Sequence, residues 1–268
     1  MSCDDLLLQM QLRGYCILDQ IIPGDRCPEL RLRIQQVVER ECGSHASPTG
    51  VGFVPSVINH DQSFAEYLAD TRLLELGQAL LGHSLRISFT SAIINQPKNQ
   101  RGKWHADWPF NQNNAGHVPA PYPDAVMHLT TLWMLSPFSS DNGGTLVVPG
   151  SHRLQTNPTA EDCKVRPEQT VPTETQIGGS EGCVLVMDSR LWHATAPNQT
   201  DESRVALAVR YAPWWLNTEV LRPGSLERRR LVEETGKQDN QVPSIRSHVF
   251  EQLPDRVRPL YRHWVADE

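Results

Sequence analysis

The chain lacks the features that mark several large classes of protein. No apolar run among its 268 residues approaches the roughly 20 residues that a membrane-spanning helix needs, so we expect no membrane insertion. The first residues carry no positive charge followed by an apolar segment, and they predict no secretory leader. No internal repeat or interdomain linker is evident either, which favours a single domain.

Disulfide and zinc-knuckle spacings are also missing. The six cysteines are scattered without a C-x-x-C pair, a pattern typical of reduced thiols in a cytoplasmic protein. A basic excess is absent as well: the formal net charge is −6, whereas a general nucleic-acid binder carries a surplus of lysine and arginine. We therefore expect a cytoplasmic protein that acts on a small molecule and not on nucleic acid. The sequence does not indicate the oligomeric state.

The chain does contain a helix-rich first part followed by a strand-rich centre. Apolar residues at helical spacing predict helices over about 4–12, 25–42, 62–69 and 71–81, the second of them capped by Asp25. A strand is expected over 14–22 and a loop over 43–59. Branched and aromatic residues predict further strands over 85–94, 126–135, 144–148, 182–187 and 204–211.

The predicted fold is mainly β with flanking helices. It consists of a helical layer over about 1–82, a β-barrel or sandwich core over about 83–213, and a polar, partly helical tail over 214–268. A Gly-, Pro- and Asn-rich segment over 107–125 interrupts the core. Because long loops inside compact domains are often functional, this segment and the tail are expected to help select the substrate.

One constellation of residues carries metal chemistry. On a β-strand, His105 and Asp107 would point to the same side with their Cα atoms about 6–7 Å apart. A second imidazole, His193, follows the apolar run 183–187 and so lies near a strand end. Two imidazoles and one carboxylate form the facial triad that suits non-haem Fe(II) and leaves coordination positions open.

An arginine opens the alternating strand that follows. Arg204 shares one face of it with Ala206, Ala208 and Arg210, and small residues beside a guanidinium leave room for a bound carboxylate. The other face is apolar and predicts core packing: Val205, Leu207, Val209 and Tyr211. Each part of the constellation also has an ordinary interpretation, namely a chance H-x-D, a structural histidine or a surface ion pair. Their conjunction favours a site.

The motifs around these residues resemble a known family. Residues 142–153, reading NGGTLVVPGSHR, are similar to the "NG-x-L-x-x-x-PGSH" signature of the phytanoyl-CoA dioxygenase family. The WHAD segment at 104–107 resembles the metal-binding H-x-D of that family. The segment 188–204, with His193 and Arg204, resembles its distal-histidine and 2-oxoglutarate segment.

The resemblance implies a double-stranded β-helix, also called a jelly roll or cupin-like core. It implies Fe(II) bound by His105, Asp107 and His193, with 2-oxoglutarate as cosubstrate and O₂ as oxidant. Arg204 would hold the distal carboxylate of 2-oxoglutarate. Thr145 is a further candidate for that carboxylate, and Asn95, on the strand before the motif, for the other end.

The implied reaction is oxidation of a C–H bond in a small organic substrate, coupled to decarboxylation of 2-oxoglutarate to succinate and CO₂. Related halogenases have a small residue in place of the carboxylate, so the presence of Asp107 disfavours halogenation. Hydroxylation, desaturation, epoxidation and ring closure all stay open, as does the identity of the substrate. Two alternatives remain: a zinc hydrolase-like enzyme on a similar barrel, or a non-catalytic jelly roll that binds a small molecule.

Overall fold

The computed structural model describes residues 1–42 and 50–266. Its helical segments are α1 (Cys3–Arg13), α2 (Cys27–Cys42), α3 (Thr71–Leu81), α4 (Leu226–Arg228), α5 (Ser247–Gln252) and α6 (Arg258–Tyr261). Its strands are β1 (Tyr15–Leu18), β2 (Val51–Pro55), β3 (Arg86–Asn95), β4 (Leu129–Met134), β5 (Leu146–Val147), β6 (Thr175–Gln176), β7 (Val184–Asp188), β8 (His193–Ala194) and β9 (Arg204–Ala212). Within these ranges, no helix combines the length and the apolar character needed to cross a membrane.

The strands form two antiparallel sheets. The larger sheet has the order β1-β7-β4-β9-β3-β2, and the smaller one has the order β6-β5-β8. Neighbours in the larger sheet are far apart in sequence, and the β3–β9 pair places Asn95 opposite Arg204. The predicted mainly β fold with flanking helices is therefore confirmed.

The helices cover the outer face of the larger sheet. Apolar residues of α2 and α3 share one buried core with the alternate residues of β9: Leu30, Ile34, Val37, Leu73, Leu76, Val205, Leu207, Val209 and Tyr211. Alternation along a strand places these β9 side chains on one face, so the predicted packing face of this strand is confirmed.

The inner face of the larger sheet meets the smaller sheet in a second core. Ala206 and Ala208 of β9 lie there with Leu132 of β4 and with Val147 and Ile177 from the smaller sheet. Because the two alanines have short side chains, they leave space between the sheets, and the candidate site lies in that space.

Short local signals set the ends of several elements. Ser2 and Asp5 form a reciprocal capping box at the start of α1, which then ends at Gly14 in a left-handed conformation (φ 83°). Asp70 caps α3 by accepting hydrogen bonds from the two amides at 72 and 73. In the Asn-Gly-Gly turn, Gly143 has φ 80° and a Cβ there would lie 2.7 Å from a backbone oxygen, so this turn requires glycine.

The structure corrects parts of the prediction. The segment 43–59 is not wholly a loop: 50–59 contains β2, which pairs with β3 at the sheet edge, while 43–49 lies outside the described residues. Asp25 does not cap α2 but sits inside a 3₁₀ turn, Gly24–Arg26, that has no side-chain cap. Only the Ala65–Ala69 part of 62–69 is helical, and it is a 3₁₀ helix. The short strands β6 and β8 were not predicted.

The C-terminal segment is more than a polar tail. Val220, Val232 and Trp264 pack with Phe89 of β3 and with Trp108 in a core of their own. Helices α5 and α6 add residues to the large core under the sheet. The segment therefore closes one end of the sheet.

Candidate metal centre

The predicted ligands line one small cavity between the two sheets. Its volume is about 180 Å³. The lining includes residues of β3, β4, β8 and β9 together with the segment that follows β3: Ile93, His105, Asp107, Thr130, Leu132, Thr145, His193, Arg204, Ala206, Ala208 and Arg210. Phe53 of the edge strand β2 also contributes, and its 44% exposure marks the mouth of the cavity.

Backbone pairing brings the two histidines together. His105 lies outside any regular strand, but it forms an isolated antiparallel bridge with His193 of β8. Each residue donates its amide to the carbonyl of the other, at 3.1 and 3.0 Å. The imidazole centroids are consequently 4.2 Å apart. The expectation that His105 belongs to a regular strand was therefore wrong, although its backbone pairs with that of His193 as a strand residue would.

Both imidazoles are oriented by backbone carbonyls. Nδ1 of His105 contacts the carbonyl of Lys103 at 2.9 Å, and Nδ1 of His193 contacts that of Leu191 at 2.9 Å. A carbonyl only accepts, so each Nδ1 carries the proton and each Nε2 presents a lone pair. Burial lowers the pKa of His193 to about 4, which keeps this ring neutral near pH 7. Neutral imidazole is the form that binds metal.

The carboxylate of Asp107 lies beside both Nε2 atoms. Its Oδ1 is 3.9 Å from Nε2 of His105, and its Oδ2 is 3.6 Å from Nε2 of His193. Burial is the largest single influence on the pKa of Asp107 and would raise it. The positive charge of Arg210, the two neighbouring histidines and the hydrogen bond from Thr130 together outweigh burial and hold the pKa well below its usual range. The side chain is therefore an anionic ligand.

Two further residues hold this carboxylate. Arg210 donates from Nη2 to Oδ1 at 2.6 Å, and Thr130 donates to Oδ2 at 2.6 Å. The guanidinium of Arg210, on the same face of β9 as Arg204, is thus paired with Asp107 and lies over the Phe89 ring at 4.5 Å. Sequence reasoning did not find Thr130. Thr130 and Leu132 are two residues apart on β4 and so share one face, and this spacing could have indicated that Thr130 faces the cavity.

The donor set fits a divalent transition metal. One ligand atom from each of His105, Asp107 and His193 lies within 4.8 Å of the others. Two imidazole nitrogens and one carboxylate oxygen, with no thiolate, suit Fe(II) with open positions for other ligands. Zinc tolerates the same three donors. The donors alone therefore define a metal site without selecting the metal.

Arg204 is a buried cation without an anion. It is 4% exposed, and among the described residues it forms no ion pair or side-chain hydrogen bond. Its Cζ lies 4.1 Å from the centroid of the Phe138 ring. Burial lowers the pKa of Arg204 to about 9. A guanidinium held inside a cavity in this way suits a ligand that brings a carboxylate.

The two remaining candidates differ in position. Thr145 lines the cavity with Arg204. Asn95 is fully buried next to Arg204 in the sheet register, but it does not belong to the cavity lining. Neither its Oδ1 nor its Nδ2 has a hydrogen-bond partner within the described ranges. Thr145 therefore lines the cavity, whereas Asn95 lies beside Arg204 in the sheet but outside the cavity lining.

The segments expected to help select the substrate contribute little to the lining of this small cavity. Beyond Asp107, the 107–125 loop contributes no residue to the cavity lining in the described part of the chain, and neither does the C-terminal segment. Trp214 is 58% exposed and lines a separate, larger surface cavity. Nε2 of His152 contacts the carbonyl of Gln11 in α1, so this histidine connects the Pro-Gly-Ser-His turn to the first helix.

The site thus combines a two-His-one-carboxylate centre, of the kind that suits non-haem Fe(II), with a buried unpaired guanidinium in the same cavity of a β-sandwich. Residues 10–206, well over half of the chain, match the sequence model of the phytanoyl-CoA dioxygenase (PhyH) family. The chain belongs to this family, and the resemblance predicted from its motifs is confirmed.

Individual relatives agree with this placement. Dioxygenase af480 of Aspergillus fumigatus is 32% identical over 153 residues, which cover 57% of this chain and 45% of that protein. The chain thus spans about half the length of this curated relative. HygX of Streptomyces hygroscopicus, solved with nickel and 2-oxoglutarate, has a TM-score of 0.62 at 17% identity and covers 80% of this chain and 88% of its own.

The epimerase SnoN, solved with Fe³⁺, alpha ketoglutarate and nogalamycin RO, superposes with a TM-score of 0.59 at 18% identity. This match covers 79% of the present chain and 83% of SnoN. At such low identities the two structures establish the fold alone, and the predicted jelly-roll core is confirmed.

Proposed function

We propose that this protein is an Fe(II)- and 2-oxoglutarate-dependent dioxygenase that oxidises a C–H bond of a small organic molecule, with release of succinate and CO₂. The observation that carries the proposal is the content of one cavity of about 180 Å³. It holds a complete donor triad, His105, Asp107 and His193, and the unpaired guanidinium of Arg204. Binding of a keto acid that chelates a metal and carries a second carboxylate needs both features: the triad for the metal and the guanidinium for the second carboxylate.

Fe(II) is the metal that this proposal assigns to the triad. When bound, it supplies the activation of O₂ and of the keto acid that side chains cannot provide. The two imidazoles and the carboxylate hold the ion through one face, so the opposite positions stay open. Backbone carbonyls fix the imidazoles, and Arg210 with Thr130 fixes the carboxylate.

Arg204 is assigned to the distal carboxylate of 2-oxoglutarate. Its planar fork matches a carboxylate in two hydrogen bonds, and Ala206 and Ala208 leave the space along the strand between Arg204 and Arg210. We assign Thr145 to the same carboxylate because it shares the cavity lining. Asn95 stays a candidate for the other end of 2-oxoglutarate, because its buried amide has no hydrogen-bond partner within the described ranges, although it lies outside that lining.

The chain also separates the reaction from bulk water. Apart from the polar groups named above and Thr195, the cavity walls are apolar, with Ile93, Leu132 and the two β9 alanines. The side chain of His105 is 35% exposed whereas that of His193 is 10% exposed. The substrate is therefore expected to enter from the side of His105 and Phe53.

The presence of Asp107 argues for oxygenation over halogenation, because the carboxylate fills the position that a halide would need. A zinc hydrolase-like activity would not explain why the unpaired guanidinium of Arg204 is buried in the cavity. We further propose one catalytic domain with a small-molecule substrate and no nucleic-acid partner, in keeping with the net charge of −6. All six cysteines are free, which suits the reducing cytoplasm.

Anaerobic visible absorption tests the proposal. The protein with Fe(II) should develop a weak charge-transfer band when 2-oxoglutarate is added, because a keto acid must chelate the ion to produce it. Succinate, which has no keto group, is the matched control and should produce no band. If iron binds but no band appears with 2-oxoglutarate, the keto acid does not chelate and the oxygenase assignment is wrong.

A further inference from the structure

A buried chain of side-chain hydrogen bonds runs from Asp107 into the larger sheet. Thr130 contacts Oδ2 of Asp107 at 2.6 Å and the hydroxyl of Ser189 at 2.9 Å. The Ser189 hydroxyl contacts Nδ1 of His128 at 2.7 Å. Nε2 of His128 in turn contacts the hydroxyl of Ser88 at 2.9 Å.

The chain is closed to solvent. Ser88, His128, Thr130 and Ser189 are each 2% exposed or less. Buried polar groups that lack a partner are costly, so a continuous series of bonds with every member satisfied is stable only as a unit. Four members belong to or adjoin the strands β3, β4 and β7, whereas Asp107 lies in an irregular segment. The chain thus connects a metal ligand to the rigid sheet.

Proton counting fixes the direction of every bond. The carboxylate of Asp107 can only accept, so Thr130 must donate its single hydroxyl proton to it. Thr130 must then accept from Ser189, and Ser189 must accept from His128. Consequently the proton of His128 sits on Nδ1, and Nε2 accepts from Ser88.

The environment of His128 agrees with this assignment. Burial, together with the positive charge of Arg210, lowers the pKa of His128 to about 3, so the ring is neutral and has one donor and one acceptor. The carbonyl of Arg210 lies 3.4 Å from the Ser88 hydroxyl, farther than Nε2 of His128. Ser189 also accepts the Asp107 amide on its own carbonyl at 2.8 Å, so one residue holds both the backbone and, through Thr130, the side chain.

We propose that Ser88, His128, Ser189 and Thr130 are positioning residues that orient the Asp107 carboxylate for metal binding, with His128 supplying the donor that Ser189 accepts. The inference rests on the proposed function, because it needs a metal at the triad. Such supporting contacts typically change metal affinity by about 10–100-fold when they are lost.

The affinity of the full-length protein for Co(II), measured by isothermal titration calorimetry without 2-oxoglutarate, tests this role. Thr130→Val keeps the shape of the side chain but removes the hydroxyl, and it should weaken Co(II) binding by about 10–100-fold. Thr130→Ser restores the hydroxyl and should return the affinity to near the wild-type value. Unfolding midpoints of both variants control for general destabilisation.

A double-mutant cycle separates a connected chain from independent packing effects. Ser189→Ala alone should weaken Co(II) binding less than Thr130→Val does. Added to Thr130→Val, it should produce no further loss, because the connection to Asp107 is already broken. His128→Asn keeps a donor at the place of Nδ1 and should bind Co(II) more tightly than His128→Leu.

Two results would overturn the inference: wild-type affinity in Thr130→Val, or losses that add fully in the double variant. A wild-type protein that binds no Co(II) would instead refute the metal centre itself, and the positioning role with it. The two failures are therefore distinguishable by the wild-type titration.

Discussion

Replacing Arg204 by methionine should have two effects of opposite sign. Arg204 is a buried cation without an anionic partner in the ligand-free protein. Its removal should therefore weaken the binding of 2-oxoglutarate, and at the same time it should stabilise the ligand-free protein. Truncating one partner of a buried charge pair costs about 2–5 kcal/mol. At about 1.4 kcal/mol per tenfold, the Kd for 2-oxoglutarate should rise by about 30- to 4,000-fold.

The stabilisation follows from the burial of the charge. A pKa lowered from 12.5 to about 9 corresponds to a cost of about 5 kcal/mol for the unpaired guanidinium, at roughly 1.4 kcal/mol per pKa unit. The Phe138 ring at 4.1 Å offsets about 2 kcal/mol of this by a cation–π contact. Imperfect packing of methionine reduces the gain further, so we expect about 1–3 kcal/mol. For a domain of this size, each kcal/mol raises Tm by about 2–4 °C.

The assays are thermal unfolding of the ligand-free protein and titration of the Fe(II) protein with 2-oxoglutarate. Arg230→Met, at an exposed arginine, is the matched control and should change neither quantity. Fe(II) affinity should survive in both variants because Arg204 is not a metal ligand. A lower Tm in Arg204→Met, or an unchanged affinity for 2-oxoglutarate, would refute the reasoning about an unpaired buried charge.

Three further predictions concern other positions. His193→Ala should lower the affinity for Fe(II) itself by at least tenfold, as measured by metal titration, since it removes one of three ligands; equal affinity would contradict the triad. The lowered pKa of His128, about 3, means that the unfolded state binds more protons below about pH 6.5. When the pH is lowered from 7 to 5, the free energy of unfolding, measured by urea titration, should therefore decrease by roughly 2 kcal/mol more in the wild-type protein than in His128→Asn. Equal decreases in the two proteins would refute this. Arg228, 4% exposed, donates to the carbonyls of residues 220 and 240, so Arg228→Ala should cost about 2–4 kcal/mol in urea unfolding. Arg230→Ala should stay within about 0.5 kcal/mol, and similar values for the two variants would count against a buried role for Arg228.

The parts of the fold that the sequence predicts well are those with strong local signals. Alternation along β9 separates packing residues from cavity residues, and the apolar spacing over 71–81 predicts α3 with the bounds that the structure has. Strand β2 escaped prediction because its Gly- and Pro-containing sequence resembles a loop. It becomes a strand only through pairing with β3. Strand β8 has two residues, too few for any periodic pattern.

The candidate site divides in the same way. The residue types of the metal ligands, and the family-like motifs around them at 104–107 and 188–204, can be recognised from the sequence. This is because metal binding depends on particular side chains. Arg210 was visible as a charged residue on the cavity face of β9, but its partner was not. A guanidinium can pair with any carboxylate that the fold brings near, and sequence spacing does not encode that distance.

By itself, the sequence determined the class of this protein: a mainly β chain with two imidazoles, one carboxylate and a strand-borne guanidinium in the order that its family uses. Side-chain identity and local periodicity are sufficient for this, since both act over a few residues. Tertiary structure alone decided which groups orient the metal ligands, which cation stays unpaired, and which residues form the cavity mouth. Those properties depend on contacts between residues such as Thr130 and Asp107, or Asn95 and Arg204, that approach each other only when distant strands pair and exclude water.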